Sequence, residues 1–228
     1  MIPVSRKLQV VKSPFTPPQA VADKSVAHKK ICNALNLPED SILLGYFGAL
    51  TNRKRPLHFV DAISAVQKRI PDRQIHGLLF GEAVMQSRNL KAACLDRAAD
   101  LGIAENIHLM GFREPISGYM AGVDATLVTA LSEPFGRTLI EAMYLGTPVI
   151  ATRHGGNTEA IIDNETGFLI DHESPEAFAE PVLRLLQNPV LYERISATAQ
   201  KNAENNYGRS QHVKAISEIY DTLVPPIH

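Results

Sequence analysis

Residues 42–70, ILLGYFGALTNRKRPLHFVDAISAVQKRI, decide the fold prediction. The stretch opens with the apolar run ILLGYF, turns at Gly48 and passes Pro56 into a segment with a different period. The apolar side chains of that segment recur at intervals of three and four residues: Phe59, Ile63, Val66 and Ile70. A continuous apolar run is typical of a strand that is covered on both faces, and the second spacing is typical of a helix. We therefore predict a buried strand, a glycine turn and an amphipathic helix.

The same alternation continues along most of the chain. Six further short apolar runs resemble strands: residues 8–11, 75–80, 107–111, 125–130, 148–151 and 167–170. Strands that alternate with helices indicate a parallel sheet with helices on both faces. We predict an α/β fold, a Rossmann-like doubly wound parallel sheet of about six strands, within a domain that covers residues 1–206.

The strand pattern ends before residue 174, and helical segments follow. They span residues 175–187, 188–206 and 210–224. The sequence Asn-Tyr-Gly at 206–208 separates the second helical segment from the third. We assign residues 207–228 to a separate C-terminal helix.

Composition excludes several classes of protein. With 23 Lys and Arg against 24 Asp and Glu, the chain has no basic excess for nucleic acid. Cys32 and Cys94 are the only cysteines, which argues against a disulfide framework and favours a reducing cytoplasm. No apolar run reaches the roughly 18 residues of a membrane span, and the polar start lacks the core of a signal peptide. The histidines lack a spacing such as H-E-x-x-H, so we expect neither a metal nor a cofactor.

The loop after the first quoted strand carries a cluster of cations. Arg53, Lys54 and Arg55 stand between the glycine turn and the N-terminus of the helix. Cations at a helix N-terminus suit a diphosphate. A solvated basic turn is the alternative interpretation of the same residues.

Two carboxylates mark the loop after residues 125–130. Glu133 precedes a helix that we expect to begin near residue 134 or 135, and Glu141 lies inside that helix. The first backbone N–H groups of the helix would be available to a ligand: Gly136, Arg137 and Thr138. Eight helical residues rise about 12 Å, more than the carboxylate separation of a glycosidase. Such a pair suits two hydroxyl-bearing rings joined by a linker, as in a nucleotide-sugar.

These loops resemble a known family. Glu133 and Glu141 are separated by seven residues, Gly48 precedes the basic pair, MGFRE occupies residues 110–114, and GGNTE occupies residues 155–159. In their order along the chain, over about residues 40–190, the motifs resemble the C-terminal, donor-binding domain of the GT-B family 4 retaining glycosyltransferases (glycosyl transferases group 1). The resemblance implies one half of a GT-B fold.

The resemblance also implies a role for each matching residue. Glu133 would bind hydroxyls of the donor sugar, with backbone amides of Phe135, Gly136 and Arg137 nearby. Glu141 would bind the ribose. The glycine turn at Gly48 with Arg53 and Lys54 would hold the diphosphate, and its cations would stabilise the charge of the leaving group. Phe112 and Arg113 would lie near the base.

The first motif departs from the family pattern at two positions. Many members carry an arginine directly after the glycine and a glycine after the lysine, where this chain has Ala49 and Arg55. We assign the phosphate-binding arginine to Arg53.

By this resemblance the protein transfers a sugar from a UDP-, GDP- or ADP-sugar to a glycan or lipid acceptor. The acceptor would bind mainly to an N-terminal domain outside these 228 residues, and peripheral membrane association of the full-length protein stays open. We expect the chain alone to bind donor without transferring sugar. The alternatives are a nucleotide-sugar 2-epimerase on the same architecture and a non-catalytic nucleotide-binding module. A dehydrogenase is disfavoured because no G-x-G-x-x-G follows a strand.

Overall fold

The computed structural model describes residues 11–16, 23–170 and 174–223. Its strands are β1 (Ile42–Phe47), β2 (Ile75–Phe80), β3 (Ile107–Gly111), β4 (Ala125–Val128), β5 (Val149–Thr152) and β6 (Phe168–Ile170). Its α-helices are α1 (Lys24–Leu35), α2 (Pro56–Arg69), α3 (Leu90–Asp100), α4 (Ser117–Gly122), α5 (Arg137–Tyr144), α6 (Asn157–Ala160), α7 (Ala179–Gln187), α8 (Pro189–Tyr207) and α9 (Arg209–Leu223). Short 3-10 turns span Met85–Ser87, Ala104–Asn106 and Pro175–Phe178. Of the apolar run at 8–11, residues 8–10 lie outside the described residues.

The six strands of the described residues form one parallel sheet in the order β3-β2-β1-β4-β5-β6. Every residue of β1 and β2 is buried, which explains their continuous apolar runs. The predicted doubly wound, Rossmann-like sheet is confirmed. The strand order reverses between β1 and β4, and ligands of such sheets bind beyond the carboxyl ends of the strands at this point.

The helices cover the sheet with their apolar sides. Phe59, Val60 and Ile63 of α2 are fully buried in a core that also contains residues of α7. A second core joins α5 to the sheet and to Ala199 and Tyr207 of α8. These contacts fix the starts of α2 and α5, the two helices that follow the switch-point strands.

The C-terminal helices follow the predicted segments, and Gly208 separates α8 from α9. Among its residues 209–222, α9 has none that is buried; Val213 is 55% exposed and Tyr220 64% exposed. An apolar stripe of this helix is therefore uncovered. The assignment of residues 207–228 to a separate unit stays a prediction. Across the described residues, no helix combines the length and apolarity needed to span a bilayer.

Candidate functional site

A cleft of about 670 Å³ opens beyond the carboxyl ends of β1, β2 and β3, against one side of α5. Its lining includes five residues that the sequence analysis assigned to the site: Gly48, Phe112, Arg113, Thr138 and Glu141. Gly48 and Ala49 after β1, residues 112–114 after β3 and one side of α5 thus meet at this cleft, at the edge of the sheet that the switch-point rule predicts. Gly81 and Glu82, from the loop after β2, also line it.

A narrow pocket adjoins this cleft and shares Phe47 and Thr138 with it. In this pocket the Nζ atom of Lys54 lies 2.8 Å from Oε2 of Glu133. The Nη1 atom of Arg53 lies 3.0 Å from the same oxygen. The motifs in the sequence predicted that the cations and the carboxylate bind different parts of a ligand, whereas the structure joins them directly.

Glu133 is only 8% exposed, so its charge depends on these two partners. Burial alone raises the pKa of the Glu133 carboxyl, but the hydrogen bonds and charges of Lys54 and Arg53 outweigh it and hold that pKa below its ordinary value. The side chain of Lys54 is 17% exposed and that of Arg53 is 44% exposed. The pocket therefore holds an ionised carboxylate against the shielded Lys54, and the more accessible Arg53 contacts the same carboxylate oxygen.

Backbone contacts fasten the loop after β1 to the loop after β4. The buried hydroxyl of Thr129 donates to the carbonyl oxygens of Lys54 at 2.8 Å and Arg55 at 3.0 Å. The N–H of Leu131 donates to the carbonyl oxygen of Arg53 at 3.0 Å. These bonds satisfy backbone groups of both loops, and they set the position of the two cations relative to β4.

The loop after β5 fixes the backbone of Glu133. The N–H of Gly156 donates to the carbonyl oxygen of Glu133 at 2.6 Å, and the N–H of Ser132 donates to Nδ1 of His154 at 2.9 Å. Gly155 has a φ of +57°, and a Cβ there would lie 2.7 Å from the same carbonyl oxygen. His154 is not among the site residues predicted from the sequence. The GG pair of the GGNTE motif was the signal that this turn approaches another backbone closely.

The start of α5 differs from the sequence prediction. The helix begins at Arg137, and Gly136 before it has a left-handed φ of +75°. Residues 133–136 are therefore not helical, and the expected helix start near residue 134 or 135 is wrong. The 12 Å rise between Glu133 and Glu141 was calculated for eight helical residues and does not apply. The four N–H groups that lack intrahelical partners belong to residues 136–139.

Glu141 lies on the second turn of α5 and faces the main cleft. Burial raises the pKa of its carboxyl, and the charge of Arg137 opposes this shift. The side chain of Arg137 is exposed, and the ring of Phe135 packs 6.1 Å from the ring of Tyr207. The side chains of Phe135 and Arg137 thus do not line the cleft, and only their backbone groups fit the predicted role.

The far end of the cleft is more open. Phe112 is 67% exposed, and Nη1 of Arg113 donates to its carbonyl oxygen at 3.0 Å. Glu82 forms an ion pair with Lys91, whose hydrogen bond holds the pKa of the Glu82 carboxyl below its ordinary value. A Cβ at Gly81 would lie 2.1 Å from the carbonyl oxygen of Gly48, so the ends of β1 and β2 can meet only because this residue is glycine.

Within residues 11–16, 23–170 and 174–223, no group of three His, Cys, Asp or Glu side chains is arranged to hold a metal ion. Cys32 and Cys94 are buried and unpaired with each other. That the site works without a metal stays a prediction.

Comparison with known proteins identifies the family. A model of the family "Glycosyl transferases group 1" matches residues 28–202. The chain belongs to this family. Among its relatives, a D-inositol 3-phosphate glycosyltransferase of Corynebacterium urealyticum is 30% identical over 194 residues, which are 83% of this chain and 45% of the relative. One of the same name from Thermobifida fusca is 32% identical over 174 residues, 74% of this chain and 40% of the relative.

Solved structures confirm the fold of this group 1 chain. Anabaena Alr3699/HepE in complex with UDP superposes with a TM-score of 0.79 at 24% identity, over 86% of this chain and 53% of that one. The C-terminal domain of the group 1 protein LpcC from Francisella tularensis gives a TM-score of 0.71 at 23% identity, over 86% and 96%. The chain spans less than half the length of the curated relatives named above. The family match does not favour the 2-epimerase alternative.

Proposed function

We propose that this chain is the donor-binding half of a retaining glycosyltransferase, which moves a sugar from a nucleotide-diphosphate sugar to a glycan or lipid acceptor. One observation carries the proposal. Two cations and a shielded carboxylate, Arg53, Lys54 and Glu133, stand beside the cleft at the switch point of the sheet. Diphosphate and sugar hydroxyls are the chemical groups that this combination suits.

The diphosphate is assigned to the loop after β1 and the start of α5. Lys54 and Arg53 offer charged donors, and the first turn of α5 offers backbone N–H groups without intrahelical partners. Gly48, with a φ of +150°, brings the backbone close to this point. As the sugar leaves, negative charge grows on the diphosphate, and cations fixed in advance stabilise that transition state.

The two rings of the donor are assigned to the two glutamates. Glu133 lies within contact of the cations, so the sugar attached to the diphosphate is the ring within its reach. Glu141, one helical turn after the start of α5, lines the main cleft, and the ribose would lie beside it. Phe112 and Arg113 stand at the open end and are assigned to the base, with Phe112 offering a ring face for stacking.

The donor's base and sugar are proposed only as classes. Structures of Anabaena Alr3699/HepE contain UDP and UDP-glucose, which supports a nucleotide-sugar donor for a chain of the same fold. We propose that the acceptor binds mainly to an N-terminal domain outside the present sequence, and that the full-length protein can associate peripherally with a membrane. The uncovered stripe of α9 supports a partner surface at the C-terminal end.

A non-catalytic nucleotide-binding module is the second candidate, because the described residues form one α/β unit and transfer requires groups on both sides of the bond. The test is calorimetric titration with UDP, GDP, ADP and their sugars, followed by a transfer assay with glycan and lipid acceptors. We expect one nucleotide class to bind and no turnover from this chain alone. Absence of binding to all six ligands would refute the donor-site assignment, and robust turnover would refute the half-enzyme assignment.

To separate the two candidates, the same transfer assay is run with a longer protein that contains this chain as its C-terminal half. Transfer that appears there and is lost in Lys54→Ala supports the enzyme. Donor binding without transfer to any acceptor supports the module.

A further inference from the structure

The negatively charged carboxylate of Glu133 lies in the region assigned to the diphosphate, because it forms ion pairs with the two cations there. Lys54 Nζ is 2.8 Å from Glu133 Oε2, and Arg53 Nη1 is 3.0 Å from the same atom. A lysine ammonium has three donors in tetrahedral arrangement. A phosphate oxygen that takes a second donor of Lys54 would therefore lie about 4.5 Å from the carboxylate oxygen, at ordinary hydrogen-bond lengths.

The carboxylate has little freedom to withdraw from that position. Hydrogen bonds from Gly156 and to His154 hold the backbone on both sides of Glu133, and Gly155 packs against its carbonyl oxygen. The side chain of Glu133 is 10% exposed. In an alternative rotamer its carboxylate would either find another shielded position or point into the cleft. In this conformation of Glu133, a phosphate bound to Lys54 and Arg53 shares these two cations with the carboxylate.

The cost of this sharing depends on the ligand. A terminal phosphate has a second pKa near 6, so at pH 7.5 a nucleoside diphosphate carries about one more negative charge than the same nucleotide bonded to a sugar. The sugar also brings hydroxyl donors, which a carboxylate can accept. The free nucleotide meets the repulsion without this compensation.

We propose that Glu133 sets the selectivity of the site for nucleotide-sugar over free nucleoside diphosphate, by repelling a terminal phosphate and accepting hydrogen bonds from sugar hydroxyls. This inference rests on the proposed donor-binding function. It assigns to one side chain both an attractive and a repulsive element, which is how binding sites discriminate between similar ligands.

The same arrangement favours release of product. After transfer, the bond between the anomeric carbon and the diphosphate is broken, that carbon is bonded to the acceptor oxygen, and the proton of the acceptor hydroxyl has passed to the diphosphate or to solvent. At pH 7.5 the released diphosphate carries about one more negative charge than it did in the donor. Glu133 then loses its hydroxyl partners and faces a more negative ligand across Lys54 and Arg53. Product release limits many enzymes, so a built-in repulsion of the product is useful to turnover.

The experiment compares Glu133→Gln with the parent chain in calorimetric titrations at pH 7.5. The ligands are UDP, GDP and ADP, and the sugars UDP-glucose, GDP-mannose and ADP-glucose. For the nucleotide class that binds, we expect Glu133→Gln to bind the free diphosphate about tenfold more tightly than the parent, because a like charge is removed from beside the phosphate. Its preference for the sugar nucleotide over the free diphosphate should fall by at least about tenfold.

The matched control is Asp96→Asn, which removes the same charge from an exposed position on α3. Its affinities should stay within about twofold of the parent, since an exposed charge far from the ligand is screened by salt. If Glu133→Gln does not fold, Glu133→Asp replaces it, because a shorter side chain draws the carboxylate back by one C–C bond. The diphosphate should then bind more tightly than to the parent, by a smaller factor.

Tighter binding of free diphosphate to the Glu133 variant, without change in Asp96→Asn, supports the inference. Equal or weaker binding of free diphosphate to the variant overturns it, and means that Glu133 only holds the two cations in place. A parent chain that binds none of the six ligands overturns the proposed function and this inference together, so the two failures are distinguishable.

Discussion

The two ends of the cleft are built differently. At the end assigned to the diphosphate, the charged side chains of Lys54 and Glu133 are shielded, and hydrogen bonds from Thr129 and Leu131 fasten their loops to each other. At the end assigned to the base, Phe112 is largely exposed, and Glu82 and Lys91 pair at the surface.

This difference follows from what each end has to do. A shielded ion pair is stable only when both partners are held in fixed geometry. In a loosely formed pair, the free energy of desolvation exceeds the electrostatic attraction between the two charges. An exposed ring has no such requirement, since every base presents a face for stacking. We infer that the first end is rigid and common to any diphosphate, and that the second end is adaptable.

Gly81 lies in contact with the Gly48 turn, so replacing it should disturb both ends of the cleft. We expect Gly81→Ala to lower the free energy of unfolding by about 3 kcal/mol or more, because its Cβ would lie 2.1 Å from the carbonyl oxygen of Gly48 at a φ of +136°. Gly102→Ala is the control, since it also has a positive φ but nothing within 4 Å of its Cβ. Chemical denaturation measures both, and similar losses would show that backbone conformation alone decides the effect.

Mild acid should lower the free energy of unfolding through two histidines in the strands behind the base end, His76 in β2 and His108 in β3. Burial, and then the neighbouring His108, lower the pKa of His76 to about 4, and burial also lowers the pKa of His108 against an opposing effect of Glu105. Between pH 6.5 and about 4 the unfolded chain binds more protons than the folded chain, so stability is lost as the pH falls. We expect a loss on the order of 2 kcal/mol across this window.

The measurement is the free energy of unfolding as a function of pH, for the parent and for His76→Asn. The variant should show a shallower slope between pH 6.5 and 5. An unchanged slope would assign the acid sensitivity to other groups.

Lys54→Ala tests the diphosphate end alone. We expect it to weaken the binding of nucleoside diphosphate by more than about 1 kcal/mol, the scale of one charge-assisted hydrogen bond. Lys91→Ala removes a cation at the other end, where its pair with Glu82 is exposed, and should have a smaller effect. Calorimetry that finds equal losses in the two variants would contradict the contrast between the ends.

The smallest effect is expected from the two glutamates that divide the ligand, Glu133 before α5 and Glu141 on it. Glu141→Ala should weaken binding of the bare nucleotide by about 1 kcal/mol through lost hydrogen bonds to the ribose. Glu133→Ala should mainly damage recognition of the sugar. Titrations with nucleotide and nucleotide-sugar check the division, and it fails if each variant loses the same affinity for both ligands.

The sequence by itself determined the architecture. Continuous apolar runs such as ILLGYF, alternating with helix-period segments, predicted the buried parallel sheet. This works because the spacing of apolar residues along the chain shows which positions of each element are buried. The ordered loop motifs predicted the family. They also predicted as site residues Gly48, Phe112, Arg113 and Glu141, which line one cleft in the structure. These features depend on local pattern and on the rule that such loops meet at one edge of the sheet.

Only the tertiary structure decided how the charged residues meet. The direct contact of Lys54 and Arg53 with Glu133 joins residues about 80 positions apart, and no local spacing encodes it. The late start of α5 depends on the left-handed Gly136, and the position of Glu133 depends on a turn after β5. Side-chain geometry of this kind arises from the packing of separate loops, whereas the sequence pattern records only which face of each element is buried.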